Sequence, residues 1–160
     1  MNVLQQDNDY ITRKEAENYI NQYFATYPGI KNYLDGLVAE AKETGSVSTL
    51  YGRKRPVPEI SSSNFMQRSF GERIAMNSPI QGTAADIMKI AMIRVFERME
   101  RENLKSRMIL QVHDELNFNI VPEEKDAMQR LVVEEMQNAF RMSVPLIADY
   151  GWGNNWLEAH

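Results

Sequence analysis

The longest helical pattern in the sequence, over residues 65–103, constrains the fold more than any other feature. In its second half apolar side chains such as Ile80, Ala84 and Ile87 recur three or four residues apart, which is typical of a helix with one buried face. Pro79 has no backbone N–H to donate, so we expect a kink or a break at that point.

The N-terminal part of the sequence predicts two further helices. Thr12 followed by Glu15 is a capping-box pattern, which predicts a helix over residues 12–26. A second helix is predicted over residues 30–43. Gly45 is expected to end it, because glycine readily adopts the left-handed conformation at a helix C-terminus.

Extended segments are predicted in three places. Residues 46–60 alternate and then carry two prolines, which exclude a helix. Residues 107–112 and 116–121 predict two antiparallel strands joined by a tight turn. Pro122 with acidic neighbours predicts the start of another helix, and residues 145–149 predict a last short strand. The fold class is therefore α+β, with helices, an antiparallel β-hairpin and a C-terminal strand.

Composition excludes several classes of protein. Hydrophobic residues make up 43% of the chain, which is enough for a buried core. The absence of cysteine excludes disulfides and thiolate metal sites. No secretory signal is visible, and no apolar run is long enough to span a membrane. We therefore expect a cytoplasmic protein with no membrane partner.

Charge is unevenly distributed along the chain, although the net charge is only −4. Residues 53–107 hold 11 basic and 6 acidic side chains, whereas residues 108–160 hold 3 basic and 9 acidic ones. The basic block, which includes Arg53, predicts contacts with phosphates, and the acidic block predicts cation binding. Solvated helix faces are the alternative explanation for both blocks.

The predicted hairpin turn presents three chemically active side chains in a row, His113, Asp114 and Glu115. Strands on both sides hold a turn rigidly while its side chains stay exposed. Adjacent carboxylates repel each other unless a cation offsets their charge, and Mg²⁺ prefers oxygen ligands of this kind. The turn is therefore a candidate magnesium site. An ordinary aspartate-containing turn is the alternative.

A polar stripe is predicted along the long helix, where Arg73, Asn77 and Gln81 recur every four residues. One cation and two amides suit the minor groove of a duplex, whose hydrogen-bond acceptors are shared by all base pairs. The small residues that follow, from Gly82 to Ala85, permit close approach of another backbone. A merely solvent-facing stripe is the alternative explanation.

Five segments of the sequence form an ordered set. Residues 49–55 read Thr-Leu-Tyr-Gly-Arg-Lys-Arg and are followed by Pro-Glu-Ile at 58–60. Residues 72–86 read Glu-Arg-Ile-Ala-Met-Asn-Ser-Pro-Ile-Gln-Gly-Thr-Ala-Ala-Asp. Residues 111–115 read Gln-Val-His-Asp-Glu, and residues 151–156 read Gly-Trp-Gly-Asn-Asn-Trp. Together they resemble the family A DNA polymerases, of the bacterial DNA polymerase I type, over nearly the whole chain from about Ile11.

The resemblance implies a role for each matching residue. Asp114 corresponds to the aspartate of palm motif C that binds catalytic magnesium, and Glu115 to the neighbouring carboxylate with a more supportive role. His113 corresponds to a residue near the primer terminus. The three stripe residues correspond to contacts with the primer–template duplex along its minor groove. Magnesium, primer–template DNA and deoxynucleoside triphosphates are thus the expected cofactor and partners of the full-length enzyme.

Two parts that the resemblance implies are missing from this sequence: the motif A aspartate and the fingers helix that binds nucleotide phosphates with lysine and arginine. Asp149 follows an apolar segment, and we interpret it as structural. We expect residues 1–67 to form the outer part of the fingers and residues 68–160 the C-terminal part of the palm. The isolated chain is therefore expected to bind magnesium weakly or not at all and to be inactive alone.

Two other functions fit parts of the sequence. A stand-alone nucleic-acid-binding module would use the Arg73 stripe and the basic residues beginning at Arg53. A metal-dependent hydrolase would use His113, Asp114 and Glu115, but it lacks a spaced set of ligands. Self-association through an exposed hairpin edge is also expected, because an unpaired strand edge invites pairing with another chain.

Overall fold

The computed structural model describes residues 11–159, which form five α-helices and four short strands. Two 3-10 turns, Pro58–Ser61 and Pro122–Glu124, precede α3 and α4. The elements in chain order are α1 (Arg13–Thr26), α2 (Pro28–Thr44), β1 (Ser46–Ser48), β2 (Lys54–Pro56), α3 (Phe65–Arg101), β3 (Arg107–Val112), β4 (Glu115–Asn119), α4 (Lys125–Gln137) and α5 (Trp156–Ala159). Strands β1 and β2 pair with each other, as do β3 and β4. The fold is α+β, as predicted.

The helix ends follow local sequence signals. The Thr12 side chain accepts a hydrogen bond from the Glu15 backbone, and the Glu15 carboxylate accepts one from the Thr12 backbone, so the predicted capping box is confirmed. Helix α2 begins at Pro28, earlier than predicted, because proline is well tolerated in the first helical turn. Gly45 ends this helix with φ 73°, as predicted.

The described residues divide into two compact units. Unit 1 comprises residues 11–47 and 54–77, and unit 2 comprises residues 48–53 and 78–159. The core of unit 1 consists of five buried side chains: Ala41, Val47, Val57, Ile60 and Ala75. In this unit Gly71 lies directly against a 3-10 turn, since an added Cβ would be 2.7 Å from the Ile60 backbone nitrogen.

The core of unit 2 joins α3, α4 and the β3–β4 hairpin. It contains the buried side chains Val95, Met99, Met128 and Leu131. Met108 of β3 and Phe118 of β4 pack against it, which anchors one face of the hairpin. Burying an aliphatic side chain of this size contributes roughly 1.5–3 kcal/mol. The hairpin therefore rests on a fixed base.

Two sequence predictions about the backbone are wrong, and a third is wrong in part. Of the kink or break expected at Pro79, the break does not occur, since α3 continues to Arg101. Residues 58–61 form a 3-10 turn and are not extended. The predicted C-terminal strand over residues 145–149 is not formed, because no strand of the described chain lies beside it to supply hydrogen bonds. Within residues 11–159, no helix is both long and apolar enough to cross a membrane.

Candidate nucleic-acid and metal site

The turn between β3 and β4 consists of His113 and Asp114. The two strands are antiparallel, and Val112 pairs with Glu115, so two residues remain to connect them. Both turn side chains are exposed, whereas Glu115 is half-buried as the first residue of β4. The structure thus brings the three predicted site residues together at the tip of a two-stranded hairpin. Strand β4 begins one residue earlier than the sequence predicted.

The backbone at His113 adopts a conformation that is unfavourable for most residues. Its φ is 51°, and the described chain contains one other non-glycine residue with positive φ, Asn103. A left-handed conformation costs an L-residue roughly 1–2 kcal/mol. Its carbonyl oxygen accepts a hydrogen bond of 2.7 Å from the Gln111 side-chain amide. Such strain is typical of functional positions, where a particular side chain is needed despite its cost.

A carboxylate at the base of the hairpin fixes the connections at both ends. Glu124 accepts hydrogen bonds from the backbone N–H groups of Lys105 and Ser106, both at 2.8 Å, and from the Ser106 hydroxyl at 2.7 Å. The Ser106 oxygen in turn accepts from the Val121 N–H at 3.0 Å. These bonds, led by the one from Lys105, lower the pKa of Glu124. Ser106, directly before β3, is therefore tied to Val121, two residues after β4.

Sequence reasoning missed this arrangement. From the sequence, Glu124 is one of the acidic residues beside Pro122 at a predicted helix start, and Ser106 has no predicted role. A buried serine beside a strand and a glutamate at a helix N-terminus are separately common. Nothing in their spacing, 18 residues apart, predicts that they meet.

Asp114 and Glu115 provide hard oxygen donors of the kind that Mg²⁺ prefers. They are adjacent in sequence and lie at the exposed end of a rigid hairpin. Across residues 11–159, no three His, Cys, Asp or Glu side chains are grouped closely enough to hold a metal ion. The donor chemistry therefore fits magnesium in kind, with two carboxylates available as ligands.

The three stripe residues all lie on α3 and are all exposed. Arg73 and Asn77 belong to unit 1 and Gln81 to unit 2. The Arg73 guanidinium donates to the Ser69 hydroxyl at 3.3 Å and lies 5.8 Å from the centre of the Phe70 ring. Both contacts are on its own helix, so this cation is held near the surface of α3.

Arg53, the remaining residue of the predicted nucleic-acid set, is held by side-chain and backbone groups of α3. Its Nε lies 2.9 Å from Asp86 Oδ1, and its Nη2 donates to the Gly82 carbonyl at 3.0 Å. A hydrogen bond with Thr49 is the main cause of the lowered pKa of Asp86, and Arg53 lowers it further. The Arg53 side chain remains 53% exposed.

The small residues of α3 lie against another segment of the chain, which the sequence permitted but did not distinguish from ordinary helix packing. A Cβ added to Gly82 would lie 2.7 Å from the Thr49 methyl carbon. The buried Thr83 hydroxyl accepts a hydrogen bond of 3.0 Å from the Leu50 N–H. The segment that approaches α3 is the loop of residues 48–53, a partner that the sequence did not identify.

Comparison with known proteins defines the family. The model of DNA polymerase family A matches residues 2–158. The chain therefore belongs to DNA polymerase family A.

Individual relatives agree with this assignment. DNA polymerase I of Caldicellulosiruptor bescii is 52% identical over 148 residues, and that of Geobacillus stearothermophilus is 52% identical over 149 residues. These matches cover 92% and 93% of this chain but 17% of each relative, so the chain spans about a sixth of their length.

A solved structure agrees as well. The POL domain of Pol1 from M. smegmatis, in complex with DNA primer-template and dNTP, matches with a TM-score of 0.91 and 44% identity. The match covers 93% of this chain and 26% of that one.

Proposed function

We propose that this chain supplies part of the machinery for template-directed DNA synthesis, in which a deoxynucleotide is transferred to a primer terminus. The observation that carries the proposal is the hairpin tip, where His113, Asp114 and Glu115 sit together on a rigid base. The membership of the chain in DNA polymerase family A supports it. The expected activity is that of a DNA-directed DNA polymerase, a nucleotidyltransferase.

Asp114 and Glu115 are the residues we assign to magnesium. Bound Mg²⁺ would offset charge on the phosphates and so favour phosphoryl transfer. Asp114 offers its carboxylate at the exposed turn, and Glu115 adds a second at the start of β4. The β3–β4 pairing and the Glu124 hydrogen bonds hold the backbone that carries both carboxylates. Further ligands have to come from outside this pair.

The stripe on α3 is assigned to the primer–template duplex. Asn77 and Gln81 can each donate and accept a hydrogen bond at the minor groove, and Arg73 adds a cation. His113 is assigned to the region of the primer terminus. Arg53 binds the carbonyl of Gly82, which follows Gln81 in the sequence, and Asp86 offsets its charge.

Primer–template DNA and deoxynucleoside triphosphates are the proposed partners. The similar M. smegmatis Pol1 domain forms a complex with DNA primer-template and dNTP, which supports this choice. We propose that residues 1–67 correspond to the outer fingers and residues 68–160 to the C-terminal palm of such an enzyme.

A primer-extension assay tests the catalytic part of the proposal. Because two-metal phosphoryl transfer needs carboxylates that clamp both ions, the isolated chain with magnesium and nucleotides should extend no primer. Extension by highly purified chain that disappears in Asp114→Ala would show that the residues present suffice. The assignment of this chain as one part of a larger site would then be wrong.

Duplex binding, measured by fluorescence anisotropy across a series of salt concentrations, tests the stripe. We expect weak binding that weakens further with salt, because phosphate contacts release counterions. Arg73→Ala should weaken it, whereas Arg101→Ala removes the same charge from the last turn of α3 and should have little effect. Equal isotherms for Arg73→Ala and the unaltered chain would contradict the assignment of Arg73.

A further inference from the structure

The loop of residues 48–53 belongs to unit 2, although the chain on both sides of it belongs to unit 1. Within unit 2 it is fixed to α3 by polar contacts on both of its arms. The Leu50 N–H donates to the buried Thr83 hydroxyl at 3.0 Å. On the other arm, Arg53 binds the Asp86 carboxylate at 2.9 Å and the Gly82 carbonyl at 3.0 Å. The loop thus spans one turn of α3.

The loop also closes on itself. Thr49 accepts from the Arg53 N–H through its hydroxyl at 3.2 Å, and its own N–H donates to the Arg53 carbonyl at 3.0 Å. Its methyl group occupies the space that a side chain at position 82 would need. Thr49, Arg53, Gly82, Thr83 and Asp86 therefore form one arrangement, which we call the loop clasp.

The tip of the loop makes a second set of contacts within unit 2. The Tyr51 hydroxyl donates to the Ala139 carbonyl at 3.5 Å, and its ring lies 5.0 Å from that of Phe140. The loop consequently links α3 to the segment just after α4. Displacing the loop tip would therefore also disturb the contacts of its two arms with α3.

The opposite charges of Arg53 and Asp86 decide whether Arg53 is available to bind a phosphate. A phosphate ligand needs a guanidinium with its charge and donors available, but Arg53 directs two of its nitrogens at Asp86 and Gly82. Asp86 is 11% exposed and has a lowered pKa, so it is ionised and offsets the arginine charge. Gly82 directly follows Gln81, which places the clasp beside a residue assigned to the duplex.

We propose that the loop clasp positions the Gln81 segment of α3 for duplex binding, with Arg53 and Asp86 acting as positioning residues and Arg53 not serving as a phosphate ligand. This inference rests on the proposed function. It assigns a role to Asp86, Thr83 and Thr49, none of which the duplex has to touch.

Asp86→Asn gives opposite results for the two roles of Arg53. If Arg53 were a phosphate ligand restrained by Asp86, the substitution would free its charge and tighten duplex binding. If the clasp positions Gln81, binding weakens by roughly threefold to tenfold, the effect of one or two hydrogen bonds. Glu100→Gln removes the same charge from an exposed site elsewhere on α3 and serves as the matched control. Thr83→Val, which changes no charge, should act like Asp86→Asn.

The experiment combines two measurements on the 160-residue chain, made where circular dichroism shows all variants folded. Hydrogen exchange at the Leu50 amide, followed by NMR, reports the clasp without any DNA. It should accelerate by roughly threefold to tenfold in Asp86→Asn and Thr83→Val but not in Glu100→Gln. Fluorescence anisotropy with a primer–template duplex then reports binding at several salt concentrations. Arg53→Gln should weaken binding but leave the salt slope unchanged, whereas loss of a phosphate ligand lowers the slope by about 0.9.

The outcomes separate the clasp from the proposed function. Binding by Asp86→Asn that equals or exceeds that of Glu100→Gln would overturn the positioning role, as would a reduced salt slope in Arg53→Gln. Unchanged Leu50 exchange in both clasp variants would show that the clasp does not hold the loop. If the unaltered chain binds no duplex at all, the proposed function fails and the positioning role fails with it. The exchange data would still show whether the loop is held on α3.

Discussion

Replacing His113 with glycine tests whether this residue is kept for its side chain at the expense of stability. The φ of 51° costs an L-residue roughly 1–2 kcal/mol, and glycine avoids that cost. A glycine also lowers the free energy of unfolding by roughly 0.5–1 kcal/mol, because it loses more conformational freedom on folding than other residues do. The His113 side chain is exposed, so little buried surface disappears with it. His113→Gly should therefore raise the free energy of unfolding by roughly 0–1.5 kcal/mol.

Urea unfolding followed by circular dichroism measures this difference, and duplex binding measures what the side chain contributes. Loss of one contact to the primer terminus should weaken binding by roughly threefold to tenfold. Asn103→Gly is the matched control, since Asn103 has φ 53° and no assigned contact with DNA. It should resemble His113→Gly in stability and the unaltered chain in binding.

Two results would refute this reasoning. If His113→Gly lowered the free energy of unfolding by more than about 1 kcal/mol, the imidazole would stabilise the fold by more than its left-handed backbone conformation costs. If it gained stability and bound the duplex as well as the unaltered chain, the strained conformation would have no role in binding.

The remaining predictions concern packing, pH and association. Gly71→Ala should lower the free energy of unfolding, measured in urea, by about 1–3 kcal/mol, because its Cβ would lie 2.7 Å from a backbone nitrogen. Gly36→Ala, whose Cβ would have no atom within 4 Å, should raise it by roughly 0.8–1 kcal/mol. Equal effects of the two substitutions would contradict the close packing of Gly71. Because the pKa of Glu124 is lowered from 4.5, its stabilisation is complete above that pH and is lost as the pH falls through the folded-state pKa. The stability deficit of Glu124→Gln should therefore shrink in acid, and a deficit independent of pH would contradict this. Ile109→Lys should reduce self-association measured by sedimentation velocity, because Ile109 is 63% exposed on the two-stranded β3–β4 sheet. Ile93→Lys on α3 is the control and should leave self-association unchanged. A monomeric unaltered chain would contradict self-association through the hairpin edge.

Features that depend on neighbouring residues could be predicted from the sequence. The capping box at Thr12, the left-handed Gly45 and the hairpin turn at His113 each follow from the chemistry of a few consecutive residues. The location of the three site residues at one hairpin tip was predictable for the same reason. His113 and Asp114 fall between two runs of strand-forming residues, which marks where the turn lies.

Features that depend on distant partners could not be predicted. Arg53 and Asp86 lie 33 residues apart, and no periodicity connects a loop with a helix face. The sequence identified Arg53 as basic and Gly82 as small, but not that each needs the other. Residues 145–149 have the composition of a strand, yet a strand forms only beside another backbone that completes its hydrogen bonds. Pro79 is itself buried within a continuous α3, which the residues next to it in the sequence do not indicate.

We propose that Asp114 and the residues around it supply one part of a DNA polymerase active site. A chimera tests this most directly, in which this chain replaces the matching segment of Geobacillus stearothermophilus DNA polymerase I, its relative at 52% identity. Primer extension by the folded chimera should be retained, and Asp114→Ala in the chimera should reduce it by roughly a thousandfold, the several kcal/mol that a catalytic metal contributes. A folded chimera that extends no primer, or one whose extension survives Asp114→Ala, would contradict the account.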